Sequence, residues 1–327
     1  MRLLITAPNF LKPLIATILG LAALTTTQCL YANTLASNTM SSNTTSSNTL
    51  AVGEVGDYSV IEEEFVYSVV GDGIELMARS YRPNTEKTLH ALVEVHGGAW
   101  NLYDRTAGEL YNRALASAGL YVLAIDFRQG PDFKHPLASL DATSAVRYLR
   151  DNSSRLNLNP DTIGIAGSSS GGHLALLSGL LPDHPQHFAD ESIKPSTSAS
   201  VDYIIALWPV SDPVYRFNYA KRIQREPLIK AHLNYFGDEA AMKDANIVRV
   251  LGELNVTPPA TLIVQPGEDK NIPLEMTQNL VSAYQSAGGA VDYAFYPGEA
   301  HAFAHKPSAA TDDCIRLMVN FIRRQVQ

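Results

Sequence analysis

Polar and apolar residues change rhythm as the chain proceeds. Over residues 62–70 and 74–82 they alternate with a period of two, and Gly71-Asp72-Gly73 lies between the runs, which predicts a β-hairpin. Beyond it the alternation gives way to short, largely apolar, β-rich runs at 89–95, 121–125, 162–166, 201–207, 261–265 and 291–296. Helical spacing fills most of the intervals, at 109–118, 139–150, 172–181 and 274–287. Strands apolar on both sides, alternating with helices, predict an α/β protein with a mostly parallel sheet covered on both faces. With the antiparallel hairpin leading in, the sheet should have about eight strands. One interval breaks the pattern. About fifty residues separate Trp208 from Ala260, including an amphipathic stretch at 220–235, which is long for a crossover. An insertion, a candidate lid at about 209–250, is expected over the C-terminal edge of the sheet, where such folds bind ligands. An ordinary helix with long loops is the alternative.

The N-terminal part follows different rules. Residues 1–32 hold Arg2 and Lys12, no acid, an apolar run at 14–24 and small or polar residues up to Tyr31-Ala32. This is the pattern of a cleavable signal peptide, with cleavage expected after Ala32 and a secreted or periplasmic mature protein. An apolar core of about eleven residues is short for a membrane span. Gln28 before Cys29 is too bulky for lipoprotein processing. Residues 33–56 are rich in Ser, Asn and Thr and are expected to form a disordered linker, leaving 57–327 as the folded domain. Without the leader Cys314 is the single cysteine, so no disulfide can form within the chain. The formal charge of −8 would become −10, which argues against nucleic acid and anionic lipid as partners and against stable membrane insertion of the mature protein. A small molecule is the expected partner.

The candidate chemistry lies in the loops after the strands. Gly167-Ser168-Ser169-Ser170-Gly171-Gly172 joins an apolar run to a helical one, the setting of a nucleophile on a sharp strand-to-helix turn. Only Ser169 has glycine at both −2 and +2, so Ser169 is the expected nucleophile. His96-Gly97-Gly98-Ala99-Trp100 follows the run at 89–95, and backbone N–H groups of Gly97 and Gly98, with that of Ser170, are candidates for holding an oxyanion. A serine hydroxyl needs a base, and the base an orienting carboxylate. His301 follows the last expected strand and Asp269 the one before it. His305 competes for the role of base, and Glu268 and Asp212 for that of acid. Trp100, Trp208 and Phe303, with Tyr103, flank these loops as candidate substrate contacts. His173 is expected to pack within its helix. Only Arg105 and Lys270 bring positive charge into the loops, which suggests an uncharged scissile group. No metal-ligand spacing or phosphate-binding loop occurs, and no cofactor is expected.

Together these motifs resemble the α/β-hydrolase esterases of the hormone-sensitive-lipase and acetyl-esterase kind, nearest the branch with ferulic and acetyl esterases and kynurenine formamidases. The resemblance covers most of residues 89–322. It rests on His96-Gly97-Gly98-Ala99-Trp100, Asp126-Phe127-Arg128 with Pro136 and Asp141, the turn at Ser169, Asp269 with Pro273, and His301. It implies the α/β-hydrolase fold, a Ser169, Asp269, His301 triad, and an oxyanion hole at Gly97, Gly98 and Ser170. The implied activity is a serine carboxylesterase for small or aromatic esters. An amidase or formamidase with the same triad is the alternative, and a non-catalytic binding protein on a hydrolase scaffold the more distant one. Three features depart from hormone-sensitive-lipase relatives: serines on both sides of the nucleophile, Gly267 one residue closer to Asp269, and a hairpin in place of the N-terminal helical cap.

Overall fold

The computed structural model describes residues 3–5, 48–188, 195–255 and 257–327. Its centre is one mixed sheet. The hairpin forms first, from β2 (Val60–Val70) and β3 (Ile74–Pro83), with a register shift at Val66/Ser68. The parallel strands follow: β4 (Leu89–Val95), β5 (Leu120–Ile125), β6 (Leu158–Ser168), β7 (Tyr203–Leu207), β8 (Ala260–Pro266) and β9 (Val291–Tyr296). A short segment at the other end of the sequence, β1 (Leu3–Ile5), pairs antiparallel with β9. The order is β1-β9-β8-β7-β6-β4-β5-β3-β2, and the exchange of β4 and β5 puts β4 beside β6. This is the α/β-hydrolase fold. Every residue of β4, β5 and β7 is buried, as expected of strands covered on both faces.

Helices cover those faces. The expected ones are α1 (Glu109–Ser117), α2 (Leu137–Asp151), α4 (Ser170–Leu180) and α9 (Leu274–Ser286), with a single turn, α3 (Ser153–Leu156), between α2 and β6. All eleven residues of α4 are buried, so its side chains show no polar stripe and His173 is packed. The insertion is four helices: α5 (Pro213–Arg222), α6 (Glu226–Phe236), α7 (Glu239–Asp244) and α8 (Ile247–Glu253). The long amphipathic helix α10 (Ala309–Val326) closes the chain and puts Cys314, Met318 and Phe321 into the core.

The fold starts earlier than the expected boundary at residue 57. Leu50 and Val52 are buried, Leu50 N–H donates to Thr88 O at 2.8 Å, and Gly53 N–H donates to Ala118 O at 2.8 Å. The polar composition of residues 33–56 masks this alternation of two apolar residues, which is enough to seat the strand-like segment on the core. Residues 33–47 of that linker and the expected leader, β1 apart, lie outside the described residues.

Candidate active site

β6 runs into α4 through Ser169, whose φ of 55° and ψ of −118° are costly for any residue with a side chain. The neighbouring glycines make the turn sterically feasible. A Cβ at Gly167 would lie 2.3 Å from Gly171 O, and one at Gly171 would lie 2.0 Å from Val95 O. These are the −2 and +2 positions that single out Ser169 in the sequence, and both are too close to neighbouring backbone for a side chain. Ser169 N–H donates to Leu207 O at 2.8 Å, tying the turn to the end of β7.

The loops after β8 and β9 deliver Asp269 and His301 to the same point. His301 Nε2 lies 3.1 Å from Ser169 Oγ, and His301 Nδ1 lies 2.8 Å from Asp269 Oδ2. Since the carboxylate only accepts, Nδ1–H donates to it and Nε2 accepts from the serine hydroxyl. Asp269 Oδ1 accepts the N–H groups of Asn271 and Ile272, at 2.7 and 2.9 Å, which fixes the carboxylate. The competitors stand outside this hydrogen-bonded line, although His305 shares the cleft with it. Asp212 caps α5 by accepting from Tyr215 N–H at 2.9 Å, and Glu268 is exposed. His305 packs against the rings of Tyr111 and Trp208, and burial lowers its pKa to about 4.

The loop after β4 passes directly over Ser169. A Cβ at Gly97 would meet Ser169 Cβ at 3.3 Å and Ser168 O at 3.0 Å. Gly98 has φ of 110°, and a Cβ there would lie 2.0 Å from Leu102 O. Ser170 is the first residue of α4, where an N–H has no partner within the helix. Its Oγ instead accepts from Trp100 N–H at 3.1 Å, joining the two halves of the expected oxyanion hole. The loop is anchored further out. Arg105 donates to Asp126 through its backbone N–H at 2.8 Å and through Nη1 at 2.7 Å, while Arg128 makes a multidentate pair with buried Asp141. The Asp126-Phe127-Arg128 motif thus holds the loops, and Phe127 stacks on His96 at 4.5 Å.

Backbone strain gathers at this site. Eight non-glycine residues among those described have positive φ, and six of them, Ala99, Trp100, Tyr103, Ser169, Trp208 and Ala302, belong to the site's loops. Such strain costs on the order of 1–3 kcal/mol per residue and persists only where the surroundings enforce it.

A cleft of about 700 Å³ opens over Ser169 and His301. Of the aromatic candidates, Trp208 and Tyr103 line it. Trp100 does not. It is fully buried, stacked on Tyr235 at 5.4 Å, edge-on to Phe236 and His232, and donates from Nε1 to His173 Nδ1 at 3.3 Å. Phe303 packs beneath Trp208 and against Tyr296 and is likewise absent from the lining. Both are core residues that position the loops: the insertion's Tyr235 and Phe236 cover Trp100, while Trp208 and Tyr296 cover Phe303. The sequence reading missed Leu102 and the insertion's Arg216, Arg225 and Leu228, all of which line the cleft. The expectation of little charge beyond Arg105 and Lys270 is corrected accordingly. The one available signal was the basic character of 216–225, which cannot be aimed without the tertiary fold.

The BD-FAE family model matches residues 80–284, a span that includes the loop at Gly97, Ser169 and Asp269. The chain belongs to the BD-FAE family. This BD-FAE chain is 26% identical over 251 residues to the esterase LipC of Mycobacterium tuberculosis, covering 73% of this chain and 60% of LipC. It is 26% identical over 246 residues to an ethyl acetate hydrolase of Pseudomonas putida, covering 71% and 72%. It spans 40% of the length of an arylesterase of Saccharolobus solfataricus, so the first curated relatives extend well beyond the matched part. Among solved structures, a propionate-bound esterase of Thermogutta terrifontis aligns with a TM-score of 0.65 at 23% identity, covering 80% of this chain and 93% of that one. Esterase B of Lactobacillus rhamnosis aligns at 0.68 and 20% identity, covering 84% and 89%. These structures share the BD-FAE chain's fold.

Proposed function

We propose that the protein is a serine carboxylesterase that cleaves small esters through an acyl-enzyme on Ser169. One observation carries the reading: the hydrogen-bonded line from Ser169 Oγ through His301 to Asp269, opening on a cleft at a strained turn. Ser169 Oγ attacks the ester carbonyl as His301 Nε2 takes its proton, and Asp269 stabilises the imidazolium. The carbonyl oxygen becomes an oxyanion, met by the N–H groups of Gly97, Gly98 and Ser170 and by the positive end of α4. His301 returns the proton to the departing alcohol. Water, activated by the same histidine, then releases the acid. Membership of the BD-FAE family supports this reading, as do relatives described as an esterase and an ethyl acetate hydrolase. So do esterase structures with propionate, butyrate and paraoxon-derived phosphoryl groups bound. A fluorophosphonate probe should label Ser169, and p-nitrophenyl acetate should be hydrolysed far faster than the matched anilide. Folded protein that takes up no label would refute the esterase, while preference for the anilide would replace it with an amidase.

The leader pattern of residues 1–32 extends the proposal to a secreted or periplasmic enzyme. N-terminal sequencing of protein expressed with its leader should start near Asn33, and an intact Met1 in cytoplasmic protein would refute it.

A further inference from the structure

The cleft over Ser169 has a charge opposite to that of the chain. The formal net charge is −8, yet Arg216, Arg225 and Lys306 line the cleft, and its lining includes no aspartate or glutamate among the described residues. Arg225 and Lys306 stand at the exposed rim. Arg216 is different: it reaches the cleft from α5 but is only 1% exposed. Burying a guanidinium costs several kcal/mol, and proteins usually offset this with a carboxylate. Among the described residues Arg216 forms no such ion pair. Its Nε donates to Asn271 O at a long 3.4 Å, its plane sits 5.7 Å over the ring of Trp100, and its buried Nη1 has no partner. Burial lowers its pKa to about 10, with Arg225 adding to the shift and the Asp269 carboxylate opposing it from beyond ion-pair distance, which leaves it charged at neutral pH. His232 Nε2 is a second buried atom without a partner on the same aromatic cluster. Since His232 Nδ1–H donates to Leu228 O at 2.7 Å, that atom is an acceptor and leaves the local charge positive.

We propose that the cleft selects esters bearing a carboxylate, with Arg216 as the specificity-determining residue that receives it and Arg225 and Lys306 drawing it in. Asp269 acts on the buried guanidinium only at a distance and is bound to His301, so a substrate carboxylate would supply the direct contact it lacks, and a charge-assisted bidentate contact is the strongest one available to it. The inference rests on the esterase reading above. The carboxylate can belong to the acyl part, as in the half-ester of a dicarboxylic acid, or to the alcohol, as in the ester of a hydroxy acid. In both cases it is a spectator, and hydrolysis proceeds at the neutral ester.

The test compares two matched pairs at low ionic strength: monoethyl succinate with ethyl butyrate for the acyl side, and 3-acetoxypropanoate with propyl acetate for the alcohol side. One charged member should exceed its neutral partner in kcat/KM by about tenfold or more, mainly through KM, and the advantage should shrink as salt is added. Arg216→Gln should collapse that ratio, and Arg225→Gln should weaken its salt dependence. A ratio near one or below in both pairs overturns the inference, as does a ratio that Arg216→Gln leaves intact, since Arg216 would then only buttress Trp100. Should Arg216→Gln not fold, inhibition of ethyl butyrate turnover by succinamate and by 3-hydroxypropanoate decides the matter. One of these should inhibit wild-type enzyme at least about tenfold more strongly than the uncharged butyramide or propanol respectively, and parity in both comparisons overturns the proposal. Turnover of neutral esters without charged preference removes this inference alone, whereas no turnover of any ester removes the esterase reading itself.

Discussion

Ser168, Ser169 and Ser170 are chemically identical, and the backbone gives them three different tasks. Ser169 meets His301, Ser170 accepts from Trp100 N–H, and Ser168 ends β6. Ser169→Ala and His301→Ala should therefore each reduce kcat on the order of ten-thousandfold or more, because the two act as a unit. Their unfolding curves should stay close to wild type, and Ser168→Ala should retain far more activity. Steady-state kinetics with thermal melts check this, and equal losses at Ser168 and Ser169 would move the nucleophile. Glu94 supplies a second prediction at this scale. It is fully buried in β4, accepting from Tyr111 Oη at 2.8 Å and Asn112 Nδ2 at 3.2 Å, and burial raises its pKa to about 7 from 4.5. A carboxyl that binds its proton more tightly when folded stabilises the fold at low pH and loses that contribution as pH rises from about 4.5 through 7. Glu94→Gln keeps the shape without ionising, and Asn112 can turn its unpartnered Oδ1 toward the new amide. The variant should gain stability relative to wild type between pH 5 and pH 8, by up to about 3 kcal/mol. Chemical denaturation across that range tests it, and a constant difference would show that Glu94 does not titrate there.

The loop from β4 to α1 depends on its neighbours at both ends. Gly98 is required because its φ of 110° and the 2.0 Å approach of Leu102 O exclude a side chain. Gly98→Ala should displace the N–H groups over Ser169 and cut kcat by about a hundredfold or more, the scale of losing one oxyanion donor. A kcat within threefold of wild type would take Gly98 out of the oxyanion hole. Trp100 holds the same loop from below, among α4 and α6 side chains. Trp100→Ala should cost about 3–5 kcal/mol of stability, as a large cavity in a packed core does. Were Trp100 instead a wall of the substrate site, the melting temperature would hold while acyl preference shifted. The insertion does two jobs: α6 seals Trp100 with Tyr235 and Phe236, and α5 and α6 turn Arg216, Arg225 and Leu228 toward the cleft.

At the scale of the whole molecule, the insertion should limit substrate size, since Arg216, Arg225 and Leu228 line the cleft. A long alkyl chain laid into the cleft would meet Leu102, Leu228 and Trp208 but would also bury apolar carbon against the charged head of Arg216. Each methylene in an apolar pocket is worth only about 1–3 kcal/mol, and in this cleft part of that gain is offset wherever the chain displaces water from Arg216. For p-nitrophenyl esters, kcat/KM should peak at acetate to butyrate and fall beyond about C8. A maximum at C12 or longer, with interfacial activation, would make α5 and α6 a lipase lid.

Local pattern was sufficient for much of this protein. Hairpin alternation, apolar strands, the glycines around Ser169 and the chain order of Ser169, Asp269 and His301 are consequences of nearest-neighbour sterics and strand-by-strand position, which a linear sequence carries directly. The packed segment at Leu50 and Val52 escaped notice because two apolar side chains in a polar run gain meaning only from the surface they meet. The tryptophans and arginines divided in the same way. Trp100 and Trp208 are both fully buried, but α6 seals Trp100 away from the cleft while Trp208 borders it. Arg216 entered the cleft because α5 crosses above Trp100. Burial and aim are set by contacts between residues more than a hundred positions apart, so the sequence by itself determined the scaffold and the order of the catalytic candidates, and only the tertiary structure decided which side chains face the substrate.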